Sequence, residues 1–326
     1  MKTHPDFYHG TRKKRNFFEG WYFKITDRTG SHALALIPGI ALGNSPSENH
    51  AFLQIINGVD TNYCYHRFPE SAFKSEKESL DIEIEGNRFS FEGFQMSVTA
   101  ESGSIHGKLD FSPPVRWPES KLNPGSMGFY NHLFFMECYS QVCAVDGKIN
   151  SGSLTINDKI IDFSGGKYYI EKNWGRSFPK AWIWIQSNNF PDNSASVTVS
   201  LGVVPFPVLK AFRGFLIGVT LGNEFYAFTT INRSTLRLKR RDQDILLTSK
   251  NKNLELTLKT KSSPVGFVTC HGPTNGGMAP LLKETLSGEV EMTLTDLASG
   301  KVLYQGIGKA TGIEYGGDQE LLTIEK

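Results

Sequence analysis

Cysteine is scarce in this chain. Cys64, Cys138, Cys143 and Cys270 are the only four in 326 residues, and no two stand in a Cys-x-x-Cys spacing. A zinc ribbon or a thioredoxin-type redox pair is therefore not expected. Charge of one sign is also missing: the formal net charge is +2. The only dense basic runs are Arg12-Lys13-Lys14-Arg15 and the group Arg237, Lys239, Arg240 and Arg241. Nucleic-acid proteins more often carry a basic stripe, so no nucleic-acid partner is expected. No run approaches 18 apolar residues, and the best, Phe212 to Leu221, is interrupted by Arg213 and two glycines. Met1 to Arg15 is polar and basic, with no apolar segment of the kind a secretory signal needs. A cytoplasmic protein with thiols is the resulting expectation. The eight histidines show no ligand spacing, which gives no support to a metal site. Phosphate-loop, dinucleotide, nucleophile-elbow and zinc-helix motifs are all lacking, so an enzyme on this chain would work without a cofactor.

What is present reads as β throughout. Gly (32) and Phe (23) are abundant, and apolar and polar residues alternate over short stretches. Leu80 to Glu85, then Gly86-Asn87, then Arg88 to Phe91 predicts a hairpin with a tight turn. Leu216 to Leu221, Gly222-Asn223 and Phe225 to Ile231 predict another. Leu236–Lys239, Leu254–Lys259 and Val290–Thr295 alternate at period two. Turn signals recur at the spacing of sandwiches and barrels. Ala279 to Leu286 is the best helical candidate, at most two turns long. The length favours two domains. The division is placed at 1–165 and 166–326. A proline-rich break from Ser112 to Gly128 separates domains or is a crossing loop within the first.

Tryptophan is rare, yet three of the five, Trp174, Trp182 and Trp184, fall within eleven residues. They lie in a segment from Tyr169 to Gln186 that also carries Glu171, Lys172 and Asn173. Glu171 to Gly175 reads as a turn or bulge. The following strand puts Trp182 and Trp184 on one face and Ala181, Ile183 and Ile185 on the other. A second segment, Asn16 to Thr26, puts Trp21, Phe23 and Ile25 on one face and Tyr22, Lys24 and Thr26 on the other, with Glu19 just ahead. A third, His132 to Gln141, reads as a strand with Glu137 among aromatics. A carboxylate there costs free energy unless paired or protonated, the situation from which general acids are made. Each feature also has a plain structural reading. The tryptophans suit a core, the glutamates suit ion pairs, and His50 and His132 suit packing positions with a hydrogen bond.

At these residues the chain resembles the tocopherol cyclase family. The resemblance is carried by Tyr8-His9-Gly10-Thr11, Phe17-Phe18-Glu19-Gly20-Trp21-Tyr22-Phe23-Lys24, Glu171-Lys172-Asn173-Trp174-Gly175 and Phe178-Pro179-x-x-Trp182-x-Trp184-x-Gln186, with weaker similarity around Ala310 to Gly317. This chain is shorter than the plant enzymes, chiefly before Glu137. The resemblance implies an all-β fold of two lipocalin-like antiparallel barrel or sandwich domains packed together, as in the related carotenoid hydratases. The implied reaction closes a chromanol ring on a prenylated hydroquinone: a proton adds to a trisubstituted alkene and the phenol oxygen captures the cation. The expected substrate is an apolar prenylated phenol, quinol or other isoprenoid, with peripheral membrane contact as a route to it.

That chemistry needs an acid, a proton acceptor and aromatic walls. Aromatic faces stabilise a cation by roughly 0.5–2 kcal/mol each. Glu171 or Glu137 is the expected donor, with Glu19 a further catalytic candidate, and Tyr22 or His132 the acceptor. Trp21, Lys24, Lys172, Asn173, Trp174, Trp182 and Trp184 are the expected substrate-binding residues. The alternatives are a carrier that holds a lipid or isoprenoid unchanged, and aromatic clusters that serve only as core.

Overall fold

The computed structural model describes residues 4–100, 103–191, 193–205 and 211–322. Strands account for 63% of the chain, and no α-helix occurs among the described residues. The first sheet contains β1 (Phe17–Thr26), β2 (Ala33–Leu42), β3 (His50–Asn57), β4 (Asn62–Phe68), β5 (Phe73–Ser75), β6 (Asp81–Ile84), β7 (Asn87–Ser90), β8 (Gly93–Ala100), β9 (Gly103–Phe111), β10 (Cys138–Ile156), β11 (Lys159–Asp162) and β12 (Lys167–Gly175). Its order is β4-β3-β2-β1-β12-β10-β9-β8-β7-β6-β5, with β11 on β10. The sheet curls on itself, because Leu53 of β3 and Phe89 of β7, far apart in that order, share one core with Trp21, Phe23 and Ile25. The predicted hairpin is β6–β7, but its tight turn lies one residue earlier than Gly86-Asn87: Glu85 and Gly86, both at positive φ, make it, and Asn87 opens β7.

The second sheet contains β13 (Ala181–Ser187), β14 (Ala195–Val204), β15 (Phe212–Leu221), β16 (Glu224–Thr229), β17 (Thr235–Arg241), β18 (Asp244–Lys250), β19 (Leu254–Lys261), β20 (Val268–Thr274), β21 (Gly277–Asp296) and β22 (Val302–Gly317). Its order is β16-β15-β14-β13-β22-β21-β19-β18-β17, with β20 on β21. Ile183, Val197, Ile217, Phe228, Leu256, Met292 and Ile313 fill its core. The period-two segments behave as read: Leu256 and Leu258 are buried, and so are Val290, Met292 and Leu294. Ala279 to Leu286 is not helical. It lies inside β21, where ladder bonds to β22 run from Leu282 onward and outweigh a weak local preference.

The chain forms two units, Met1–Phe178 with His271–Pro280, and Pro179–Cys270 with Leu281–Lys326. The division lies beyond the 165/166 position, because β12 is hydrogen-bonded between β1 and β10 of the first sheet. The proline-rich break after Ser112 is a crossing loop inside the first unit, between β9 and β10.

Candidate functional site

The two long motifs are neighbours in space. β1 and β12 pair antiparallel, with Glu19 opposite Trp174, Trp21 opposite Lys172, Tyr22 opposite Glu171 and Lys24 opposite Tyr169. The expected turn at Glu171 to Gly175 is therefore strand, and the break comes at Arg176. Gly175 ends β12 at φ +146, where a Cβ would lie 2.1 Å from the Glu137 carbonyl oxygen, so only glycine passes.

Strand alternation divides the candidate residues between two faces of this pair. The inner face carries Glu19, Trp21, Lys172 and Trp174. Lys172 and Glu19 are both fully buried and paired at 2.6 Å. The Lys172 ammonium also reaches the Pro5 carbonyl at 2.9 Å, the Phe7 carbonyl, and His9 Nδ1 at 3.0 Å. It lies over the rings of Trp174 and Trp21 at 4.7 and 5.4 Å. Glu19 accepts the His9 backbone N–H at 2.8 Å, and His9 stacks on Trp174 at 4.2 Å between ring centres. Asp6 holds the same segment through Arg116 and through Gln141 Nε2 at 2.9 Å. An ammonium has three N–H donors, and here four acceptors compete for them. This group is a saturated anchor for residues 4–10.

The outer face carries Tyr22, Lys24, Tyr169, Glu171 and Asn173, joined by Ser140 of β10. Glu171 is 4% exposed. It accepts hydrogen bonds from Tyr169 OH at 2.6 Å, Ser140 Oγ at 2.9 Å and Asn173 Nδ2 at 3.3 Å. Tyr22 is its direct cross-strand neighbour, and Lys24 is fully buried two residues along. A carboxyl ringed by hydroxyls on a rigid strand pair can exchange protons with whatever lies against it.

Other expected residues lie elsewhere. Glu137 stands before β10 rather than within a strand, one-third exposed and 3.3 Å from Arg176. His132 is exposed at the end of a 3₁₀ turn, Gly128–His132. The apolar alternation of this stretch mimics a strand from its start, but Phe134 is 90% exposed and Asn131 Nδ2 bonds back to the Pro124 carbonyl, so residues 133–137 are loop and the expected strand holds only from Cys138 to Gln141, the start of β10. Trp182 and Trp184 are buried in the second unit, on the face of β13 away from its core. Trp182 Nε1 donates to Glu314, and Gly316 and Gly312 leave room for the two indoles.

Sequence reading missed His9, Ser140, Tyr169 and Glu314. Tyr169 was within reach, since it lies two residues before Glu171 and shares its face once the segment is taken as strand. Ser140 and His9 arrive from 31 and 163 residues away; His9 stands in the Tyr8-His9-Gly10-Thr11 motif, but nothing local ties it to Lys172 or ties Ser140 to Glu171.

Burial holds the pKa of His50, His66 and His271 below the ordinary 6.5. The unfolded chain therefore binds more protons than the folded one as pH falls through 6.5, so stability drops there. His66→Asn is expected to flatten that drop between pH 7.5 and 5.5, read from urea midpoints. An unchanged slope would count against this account.

A model of the tocopherol cyclase-like family matches residues 15–317. A rice protein (Oryza sativa subsp. japonica) named "Probable tocopherol cyclase, chloroplastic" is 23% identical over 377 residues, covering 97% of this chain and 79% of its own length. The maize (Zea mays) "Tocopherol cyclase, chloroplastic" is 24% identical over 379 residues, covering 97% of this chain and 78% of its own length. Among solved structures, an AttH candidate from Nitrosomonas europaea aligns with a TM-score of 0.51 at 13% identity, over 92% of each chain. CghA aligns with a TM-score of 0.56 at 11% identity, over 93% of this chain and 88% of its own. These two likenesses are of fold.

Proposed function

The chain belongs to the tocopherol cyclase-like family, and from that premise we propose that it closes an oxygen ring on an apolar, prenylated phenol by acid catalysis at Glu171. The observation that carries this reading is the Glu171 carboxyl, buried on a motif strand and held by Tyr169, Ser140 and Asn173. In its acid form Glu171 gives its proton to one carbon of the prenyl alkene. The phenol oxygen bonds to the tertiary cation, and the phenol proton returns to Glu171 through the hydroxyl of Tyr22, Tyr169 or Ser140. One C–H and one C–O bond form while the alkene π bond and one O–H bond break, so substrate and product have equal mass and no co-reactant is consumed. Lys24 and Asn173 would hold the polar head of the substrate on the same face. The plant relatives named as tocopherol cyclases support this substrate class. A lipid surface is the proposed source of such a substrate, and the β9–β10 loop exposes Leu122, Phe129 and Phe134 to meet it.

The test is incubation of the purified protein with a prenylated methylhydroquinone in D₂O. The expected product has one alkene and one phenol fewer and carries one deuterium on carbon. Recovery of the probe bound but unchanged and free of deuterium would overturn the reading in favour of a carrier.

A further inference from the structure

The outer face of the first sheet carries a second polar cluster, one that the Glu171 chemistry does not use. β3 contributes His50, Phe52 and Gln54, β4 contributes Tyr63 and Tyr65, and the 271–280 segment of the same unit contributes His271. Tyr65 ring-stacks on Phe52 at 5.6 Å and lies 4.5 Å from His271.

The hydrogen bonds determine where each proton sits. His50 Nδ1 is 2.7 Å from the Glu48 carbonyl, an obligate acceptor, so Nδ1 carries the proton. His50 Nε2 is then an acceptor, and Tyr65 OH donates to it at 2.6 Å. Tyr63 OH donates its single proton to Gln54 Oε1 at 2.6 Å and accepts the His271 backbone N–H at 2.9 Å. His271 Nδ1, 2.9 Å from the same oxygen, must therefore donate to the remaining lone pair. A neutral imidazole has one N–H and one lone pair, which leaves the lone pair of His271 on Nε2. Burial lowers the pKa of both histidines, so both rings stay neutral near pH 7, and burial raises that of Tyr65, which stays a phenol.

We propose that His271 Nε2 is a binding subsite for a neutral hydroxyl donor, a phenol or an alcohol, separate from the Glu171 cluster. A hydroxyl proton donated to that lone pair completes the chain from Gln54 through Tyr63 to His271. β12, which carries Glu171, and β4, which carries Tyr63, are four interstrand spacings apart, roughly 19 Å along the sheet at about 4.8 Å each, and the nearest strands of the two clusters, β1 and β3, are two spacings apart, roughly 10 Å. If the cyclase reading holds, on which this extension rests, an extended substrate reacting at Glu171 would present a hydroxyl from its far end to His271.

The experiment is a ¹⁵N NMR titration of the imidazole nitrogens in the whole protein at pH 7.5, with p-cresol as donor probe and 4-methylanisole as its donor-free control. His271 Nε2 is expected to be unprotonated in the protein alone and to shift with p-cresol but not with 4-methylanisole. His271→Phe should remove the p-cresol response at this site. Tyr63→Phe, which releases the proton arrangement, should weaken p-cresol about three- to tenfold. A protonated Nε2 in the protein alone, or equal responses to both probes, would overturn the proposal. These readouts need no turnover, so their failure leaves the cyclase reading standing, and failure of turnover leaves them interpretable.

Discussion

Glu171→Gln is expected to lower turnover of a prenylated methylhydroquinone by about 10²–10⁴-fold, the usual contribution of a positioned general acid. The amide keeps the volume of the carboxyl: its oxygen can accept from Ser140, which donates to one Glu171 oxygen at 2.9 Å, and its NH2 can donate to the hydroxyl oxygen of Tyr169, 2.6 Å from the other. Binding of the probe should therefore change little, and the loss should fall on kcat. The deuterium delivered to carbon in D₂O should disappear in parallel, because the same group supplies that proton. Glu137→Gln is the matched control. Its carboxylate is one-third exposed beside Arg176, which is itself 58% exposed. Such surface pairs contribute at most about 1 kcal/mol, and the variant should keep turnover within about twofold. Full activity of Glu171→Gln, or loss of activity in Glu137→Gln alone, would move the acid away from β12.

The faces of single strands were legible in the sequence, and the neighbours of those strands were not. Period two is a property of the backbone, so the separation of Tyr22 and Lys24 from Trp21 and Phe23 follows from β1 alone. The same rule separates Trp182 and Trp184 from Ile183 and Ile185 in β13. Nothing local says that β1 lies beside β12, more than a hundred residues later, yet that pairing sets Tyr22 against Glu171 and Lys172 against Glu19. Reading Glu171 to Gly175 as a turn hid the fact that Glu171 and Lys172 point to opposite faces. One carboxylate thereby came to look interchangeable with another. Burial and partners distinguish them: Glu19 meets an ammonium, Glu171 meets hydroxyls and an amide, and Glu137 meets solvent and Arg176. The apolar run around Phe134 misled for a related reason. Alternation predicts a strand only when a partner strand is available, and here the chain bonds to its own loop at Pro124 instead.

Lys172→Ala should be the most destabilising single change in the first unit, at about 3–5 kcal/mol. Removing the ammonium leaves Glu19 fully buried with its charge uncompensated, and it takes from the Pro5 and Phe7 carbonyls their shared donor. It also removes the cation lying over Trp174 and Trp21. The cost therefore has two parts, an uncompensated charge in the interior and the release of residues 4–10. Amide hydrogen exchange on β1 and β12 separates this from effects in the second unit, and a loss of protection of that size is the expected result. The double variant Glu19→Gln, Lys172→Met removes both charges while keeping volume and should recover a large part of the loss, because an apolar replacement of a buried pair is often neutral or stabilising. Turnover gives the second half of the argument. Glu171 and Tyr22 lie on the other face of the same two strands, so a folded double variant should retain activity if Glu19 and Lys172 serve as an anchor. A double variant that regains stability but has no turnover would place Lys172 or Glu19 in the chemistry instead.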